Sequence, residues 1–164
     1  MARRRFGATV TCCVLLTIAT LPAATGQSLQ RVSTCFEESI AALRLSQLDQ
    51  LIDHCDRVVS DAATKPETRG QALAQRGHAF FRRWAVLETA PDATRGISDI
   101  NESLRLHTPA KDRKQQLLLI RAQLHAATGQ LRRATDDYRL VLSEDPSNDA
   151  ARAGLRKIGA PETN

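Results

Sequence analysis

Aromatic residues are scarce in this 164-residue chain: phenylalanine, tyrosine and tryptophan together make up 4% of it, with one tryptophan and one tyrosine. No basic run is interleaved with aromatics, the arrangement that is typical of nucleic-acid-binding surfaces. The net charge of +5 falls to about +2 without residues 1–26, since Lys+Arg drops from 23 to 20 while all 18 acidic residues remain. The sequence therefore predicts no binding to nucleic acid.

Recognisable catalytic and metal-binding motifs are also absent. The chain has no glycine-rich phosphate loop and no serine or cysteine in a nucleophile elbow. Its four histidines are scattered over different segments, and neither a Cys-x-x-Cys nor a His-x-x-x-His spacing occurs. The sequence thus predicts a protein that is not an enzyme and that has neither a cofactor nor a metal site.

The longest apolar run is too short for a comfortable membrane span. It covers residues 8–21, follows three arginines at residues 3–5, and is followed by a proline and small residues. A spanning helix needs about 20 apolar residues, whereas a basic start, a short apolar stretch and small residues are typical of a secretory signal peptide. We expect residues 1–26 to be this signal, with cleavage after Ala24 as the alternative. Residues 27–164 would then be periplasmic or secreted, without stable membrane insertion.

Two cysteines, Cys35 and Cys55, remain once the signal peptide is removed. Helical periodicity at residues 32–45 and 48–60 predicts two antiparallel helices, which could bring these sulfurs to similar heights. Disulfides persist in exported proteins, so we expect a Cys35–Cys55 bridge, which would stabilise the fold by about 3 kcal/mol. The alternative is a metal site in which His54 joins the two thiolates.

Helical periodicity covers the rest of the chain. Residues 115–146 contain two helical stripes joined at Thr128-Gly129, with the small residues Ala122 and Ala134 twelve positions apart and a proline at the end. Further helices are predicted at residues 68–83, 96–106 and 148–158.

The middle pair of helices has a longer connection. Its small residues, Gly77 and Gly96, are 19 positions apart rather than 12, which predicts about seven extra residues in the turn, within residues 84–95. Since glycine in a helix costs about 1 kcal/mol relative to alanine, we expect Gly77 to mark the close approach of a neighbouring helix. The apolar residues from Trp84 onward either extend the first helix, with Trp84 folded onto its neighbour, or form an exposed lip used for docking.

Two segments resemble a known family. Residues 51–59, Leu-Ile-Asp-His-Cys-Asp-Arg-Val-Val, and residues 74–80, Ala-Gln-Arg-Gly-His-Ala-Phe, are similar to the A-I-x-x-C-x-R-x-I and N-R-G-x-A-Y segments of exported tetratricopeptide-repeat (TPR) proteins of the alphaproteobacterial type. The resemblance implies an all-α fold in which antiparallel helix pairs stack as a short α-solenoid with a C-terminal capping helix. The implied repeats cover about residues 32–63, 70–109 and 115–146, and the capping helix covers about residues 148–158.

The resemblance also implies a function, since the first helix of each repeat lines the concave face of a TPR array. We therefore expect a periplasmic scaffold or adaptor that binds a protein or peptide in this groove. The alternative is a structural subunit of a cell-envelope assembly, held by large helix–helix contacts. The residues implied for the concave face are Phe36, Ile40, Leu43, Gln71, Ala74, His78, Phe81, Arg82, Gln116, Leu119 and Gln123.

The residues expected in this groove differ from those of TPR proteins that bind a C-terminal carboxylate. Phe36 and Ile40 stand where TPR carboxylate clamps have lysine and asparagine, and Gln116 and Ile120 replace the later basic pair, so we do not expect that clamp. In another register, Phe36, Ile40 and Leu43 would be ordinary core residues.

Overall fold

The structure, a computed structural model, describes residues 34–36 and 40–162. The predicted signal peptide lies outside the described residues. Within them all regular structure is helical, and no strand occurs. A 3₁₀ turn at Ile40–Ala42 is followed by helices α1 (Leu45–Ser60), α2 (Pro66–Leu87), α3 (Ala90–Leu106), α4 (Lys111–Ala127), α5 (Leu131–Glu144) and α6 (Asp149–Lys157).

These helices stack in chain order. Each packs against the next one along the chain, α2 also contacts α4, and α4 also contacts α6. Short connections make packed neighbours antiparallel, and contacts restricted to near neighbours are typical of helical-repeat proteins. The predicted all-α array of stacked helix pairs with a final capping helix is confirmed. None of the helices in the described part of the chain is long and apolar enough to cross a membrane.

In the described part of the chain, the core consists of three apolar clusters, one after another along the stack. The first joins the 3₁₀ turn, α1 and one side of α2, the second joins α2, α3 and α4, and the third joins α4, α5 and α6. Each cluster contains at least one side chain that is fully buried: Leu51 in the first, Ile100 in the second and Leu155 in the third. Burial of such a side chain is worth about 1.5–3 kcal/mol, so the stack is stabilised along its whole length.

Gly77 and Gly96 lie at a close approach of α2 and α3. A Cβ atom added to Gly77 would lie 2.9 Å from Ile100 Cγ1 and 3.3 Å from the carbonyl oxygen of Gly96. One added to Gly96 would lie 2.8 Å from Leu124 Cδ1 and 3.4 Å from the carbonyl oxygen of Gly77. The close approach predicted at Gly77 is therefore present.

Arg76 on α2 links three successive helices. Its guanidinium donates to both carboxylate oxygens of Asp99 on α3, at 2.8 and 2.7 Å, and to Asp56 on α1 at 2.6 Å. Asp99 is 5% exposed, so this two-point pair satisfies a buried carboxylate. Hydrogen bonding to Asp99 raises the pKa of Arg76.

A second arginine–aspartate pair of this kind occurs one repeat later. Arg121 on α4 donates to Asp137 on α5 at 2.8 Å, again through two nitrogens, and to Asn101 on α3 at 2.8 Å. Arg76 directly precedes Gly77, and Arg121 directly precedes Ala122. An arginine one position before the small residue thus joins each helix pair to the preceding helix.

The helix predicted at residues 32–45 is wrong for the part that is described. Residues 34–36 are not helical, residues 40–42 form a single 3₁₀ turn, and α1 begins at Leu45. Cys35 and Ile40 are both buried in the first cluster, although five residues of α-helix would place them about 140° apart. In the alternative register Phe36 would be a core residue, but it is exposed, and Cys35 is the residue that is buried.

The predicted disulfide pairing is confirmed. The sulfur atoms of Cys35 and Cys55 lie at bonding distance, with their Cα atoms 4.6 Å apart. Both cysteines are buried in the first cluster.

The enlarged middle turn is also corrected. Only Glu88 and Thr89 separate α2 from α3, because α2 continues past Arg83 to Leu87 and α3 begins before Gly96. The extra residues lengthen both helices instead of the loop. Trp84 packs against the second cluster, as the extended-helix interpretation predicts.

Candidate functional site

The candidate site is the surface where α2 and α4 lie side by side, which we call the α2–α4 face. It is marked by Ala74 and Trp84 on α2 and by Arg113 and Gln123 on α4, and an open cavity lies at each end of it. Ala74 and Trp84 are ten residues apart, as are Arg113 and Gln123. At 1.5 Å per residue, each pair is separated by about 15 Å along its helix.

The cavity at one end, which we call the Arg113 cavity, has a volume of about 390 Å³. Glu67, Gln71, Ala74 and Gln75 of α2 line it, together with Phe36, Arg113 and the segment 107–110 between α3 and α4. Phe36 follows Cys35, so the bridge to α1 fixes the chain beside it. Its side chain is 43% exposed.

Arg113 contacts neutral groups in this cavity. It donates to Gln75 Oε1 at 2.9 Å and to Gln116 Oε1 at 2.6 Å. Burial lowers the pKa of its guanidinium. Among the described residues, no carboxylate forms an ion pair with Arg113. It therefore presents a partly desolvated positive charge to the cavity.

His78 lies between the two ends of the face. It is 8% exposed, and its Nδ1 atom has no hydrogen-bond partner among the described residues. Burial lowers its pKa to about 4, and the positive charges of Arg113 and Arg82 act in the same direction. The imidazole is therefore neutral near pH 7. Its ring is 6.3 Å from that of Phe81, which is in turn 5.9 Å from the Trp84 ring.

The cavity at the other end, which we call the Trp84 cavity, has a volume of about 540 Å³. Its walls come from the C-terminal parts of α2, α4 and α6 and from Leu131 and Tyr138 of α5. The apolar members include Trp84, Leu131 and Ile158, whereas Glu88 and Lys157 are charged. This end suits an apolar side chain.

The predicted concave-face residues occupy three environments. Ile40, Ala74 and His78 are buried; Leu43, Phe81, Arg82 and Leu119 are partly buried; Phe36, Gln71, Gln116 and Gln123 are exposed.

The structure brings several of these residues together. Phe36, Gln71 and Ala74 line the Arg113 cavity, and Gln123 lines the Trp84 cavity. Ile40 instead belongs to the first core cluster, with Leu43 packed against that cluster. These two side chains lie where the core register places them.

No family model, curated protein or solved structure in our comparisons matches this chain. The site therefore has to be interpreted from its own geometry.

The buried carboxylates of the described chain are engaged by arginines. Asp99 is held by Arg76, Asp137 by Arg121, and Asp92 by Arg83 at 2.9 Å. Hydrogen bonding to Arg83 lowers the pKa of Asp92. No group of three histidine, cysteine or acidic side chains that could hold a metal ion occurs among the described residues. The residues of the α2–α4 face can bind through hydrogen bonds, positive charge and apolar contact.

Two important members of the site were missed in the sequence, Arg113 and the apolar wall around Ile158. The repeat was taken to begin at residue 115, but α4 begins at Lys111. Arg113 lies one turn before Gln116 on the same stripe, so extending the stripe backwards would have found it. Ile158 belongs to the segment predicted as a cap, and its place beside Trp84 depends on tertiary packing.

Proposed function

We propose that this chain is an exported, non-catalytic helical-repeat protein of the TPR type, which binds a segment of another protein along the α2–α4 face. The observation that carries this proposal is the pair of open cavities at the two ends of one helix–helix face. His78 and Phe81 of α2 lie between them, and the Phe81 ring is next to that of Trp84 in the second cavity. A polar end, an aromatic middle and an apolar end suit a peptide segment with several anchors.

Export is supported by two independent features. The first residues have the layout of a secretory signal, and the chain holds a buried Cys35–Cys55 pair at bonding distance. Both features support a periplasmic or secreted location. Intact-mass measurement of the exported protein checks it, and a mass that still contains residues 1–24 would contradict removal of the signal.

Site-specific photo-crosslinking in the native cells tests the binding face. A photoreactive residue replaces Gln71 or Gln123, which are exposed and line the two cavities. Matched controls replace Arg105 on α3 or Arg132 on α5, which are also exposed. We expect both cavity positions to capture the same partner and the controls to capture none of it. Equal capture at all four positions would exclude a dedicated face.

The exposed apolar residues favour a second candidate, a structural subunit of an envelope assembly. Val86, Leu87 and Leu131 are 60%, 49% and 48% exposed, and exposed apolar residues in one region often mark an interface. Light scattering of the purified protein separates the two functions. A stable oligomer that is lost in the variant Val86→Ser/Leu87→Ser supports the structural subunit, whereas a monomer supports the peptide-binding protein.

A further inference from the structure

The charge environment of Arg113 differs from that of Arg76, Arg83 and Arg121. Arg69 and Arg82 are also partly buried and donate to backbone carbonyl oxygens, but neither lines the Arg113 cavity. Arg76, Arg83 and Arg121 have side chains that are 18–20% exposed, and each forms a two-point ion pair with an aspartate. Among the described residues, Arg113 instead donates to the amide oxygens of two glutamines and forms no ion pair. A guanidinium that is taken partly out of water without a carboxylate loses hydration and gains no opposite charge.

The two glutamines hold this guanidinium in place. Gln75 lies on α2 and Gln116 one turn along α4, so contacts at 2.9 and 2.6 Å fix Arg113 from both helices. The carbonyl oxygens accept hydrogen bonds but supply no negative charge. The arginine is thus oriented at the wall of a cavity of about 390 Å³, with room for an added group.

We propose that the Arg113 cavity receives a carboxylate of the bound protein segment, and that an apolar side chain of the same segment enters the Trp84 cavity. This inference rests on the proposed function and specifies the chemistry of its ligand. The carboxylate comes either from an acidic side chain or from the C-terminus of the segment. Charge complementarity favours it, because Arg113 lines this cavity and, among the described residues, is bound by amide oxygens. The exposed Glu67 also lines the cavity but forms no ion pair with Arg113 within the described chain.

The geometry sets the spacing between the two anchors. The cavities are about 15 Å apart along α2 and α4, which equals about five residues of an extended chain or about ten of a helix. The charged group and the apolar group should therefore recur at one of these separations. The observed separation tells which backbone form is bound.

Affinity selection with mass spectrometry tests the inference without knowledge of the natural partner. The full chain is incubated with two random libraries of twelve-residue peptides, one with free and one with amidated C-termini, and the retained peptides are sequenced. Because charge-assisted hydrogen bonds are the strong ones, we expect an enrichment of about tenfold. Acidic residues enriched in both libraries assign a side chain, and retention from the free library alone assigns the C-terminus.

Variants separate the role of Arg113 from folding. Arg113→Gln should abolish the enrichment of peptides with a carboxylate. Arg113→Lys should retain part of it, because lysine keeps the positive charge but cannot bind a carboxylate through two parallel hydrogen bonds. Arg105→Gln, on an exposed pair of α3, is the matched control and should select as the wild type does. Circular dichroism melts verify that each variant is folded.

The failures are distinguishable. Peptides retained without acidic preference, or with a preference that survives Arg113→Gln, overturn this inference and leave the proposed function standing. Retention of no peptide contradicts the proposed function itself. The variant Glu37→Gln/Glu38→Gln is run in parallel, since these residues follow Phe36 in the sequence. An acidic preference that arises only in that variant would assign Arg113 to a carboxylate of its own chain and overturn the inference.

Discussion

His78 shows how burial controls the chemistry of a single residue. Its pKa is lowered to about 4 because the ring is buried and because Arg113 and Arg82 are near it. In the unfolded chain a histidine titrates near pH 6.5. Between these two pH values His78 is protonated in the unfolded chain but neutral in the folded one. The unfolding free energy therefore falls as the pH falls.

Replacing His78 with glutamine should remove this dependence. The wild type should lose on the order of 3 kcal/mol of unfolding free energy between pH 6.5 and pH 4 through this residue, and His78→Gln should lose correspondingly less. Urea unfolding at several pH values measures the difference between the two proteins. Parallel curves over that range would show that His78 is not buried as a neutral ring.

Residues with a strong local reason were predictable from the sequence. Because a glycine inside a helix lowers helix stability, Gly77 indicated close packing with a neighbouring helix. It packs against Gly96 of α3. Thr128-Gly129 was predicted as a turn, and Gly129 does adopt a left-handed φ of 74° after α4. Cys35 was paired correctly with Cys55 but assigned to the wrong local structure. The apolar residues at helical spacing did not reveal that residues 34–36 are non-helical.

At the scale of elements, the arginine–aspartate pairs decide how the helices are held in register. Arg121 and Asp137 have side chains that are 19% and 7% exposed. Removing one partner of such a pair leaves a buried charge without compensation. The cost should be much larger than for an exposed pair such as Arg105 and Glu102, whose side chains are 67% and 42% exposed.

We therefore expect Arg121→Met to lower the unfolding free energy by about 3 kcal/mol, and Arg105→Met to leave it unchanged within error. The double variant Arg121→Met/Asp137→Leu should recover part of the loss, since it removes the orphaned carboxylate as well. Denaturant unfolding measures all three. Equal effects of Arg121→Met and Arg105→Met would contradict a structural role for the repeated pair.

The Cys35–Cys55 bridge acts on the first element of the stack. Cys35→Ser/Cys55→Ser should lower the unfolding free energy by about 3 kcal/mol, the value for a loop of about 20 residues. Because stacked helices contact only near neighbours, the loss should stay local. Hydrogen exchange should accelerate in α1 and remain unchanged in α5 and α6. Uniform acceleration along the chain would mean that the stack unfolds as one unit.

These pairs also show what sequence patterns miss. Arg76 and Arg121 stand one position before the small residues Gly77 and Ala122, and Asp99 and Asp137 stand three positions after Gly96 and Ala134. This regularity is visible in the sequence once the repeats are aligned. A polar residue on a helix could also be solvent-exposed, however, and only packing shows that both aspartates are buried.

At the scale of the whole molecule, the all-α stack was predictable because apolar and small residues recur with helical spacing through most of the chain. The longer helices of the middle pair were not, since an apolar segment between two predicted helices fits a loop or an extension equally well. Only half of the site was found. Residues such as Gln71 and Gln123 were expected there from the resemblance to TPR proteins, but the cavities depend on the angle between α2, α4 and α6.

The central claim is that a protein segment lies along the α2–α4 face. An NMR titration of the ¹⁵N-labelled protein with a peptide retained in the affinity selection tests it most directly. The account predicts shifts of the Arg113 side chain, the Gln71 and Gln123 side-chain amides and the Trp84 indole, with Arg105 and Arg132 on the other helices unaffected. Shifts centred on Arg105 and Arg132, with the Arg113 and Trp84 signals unmoved, would contradict it.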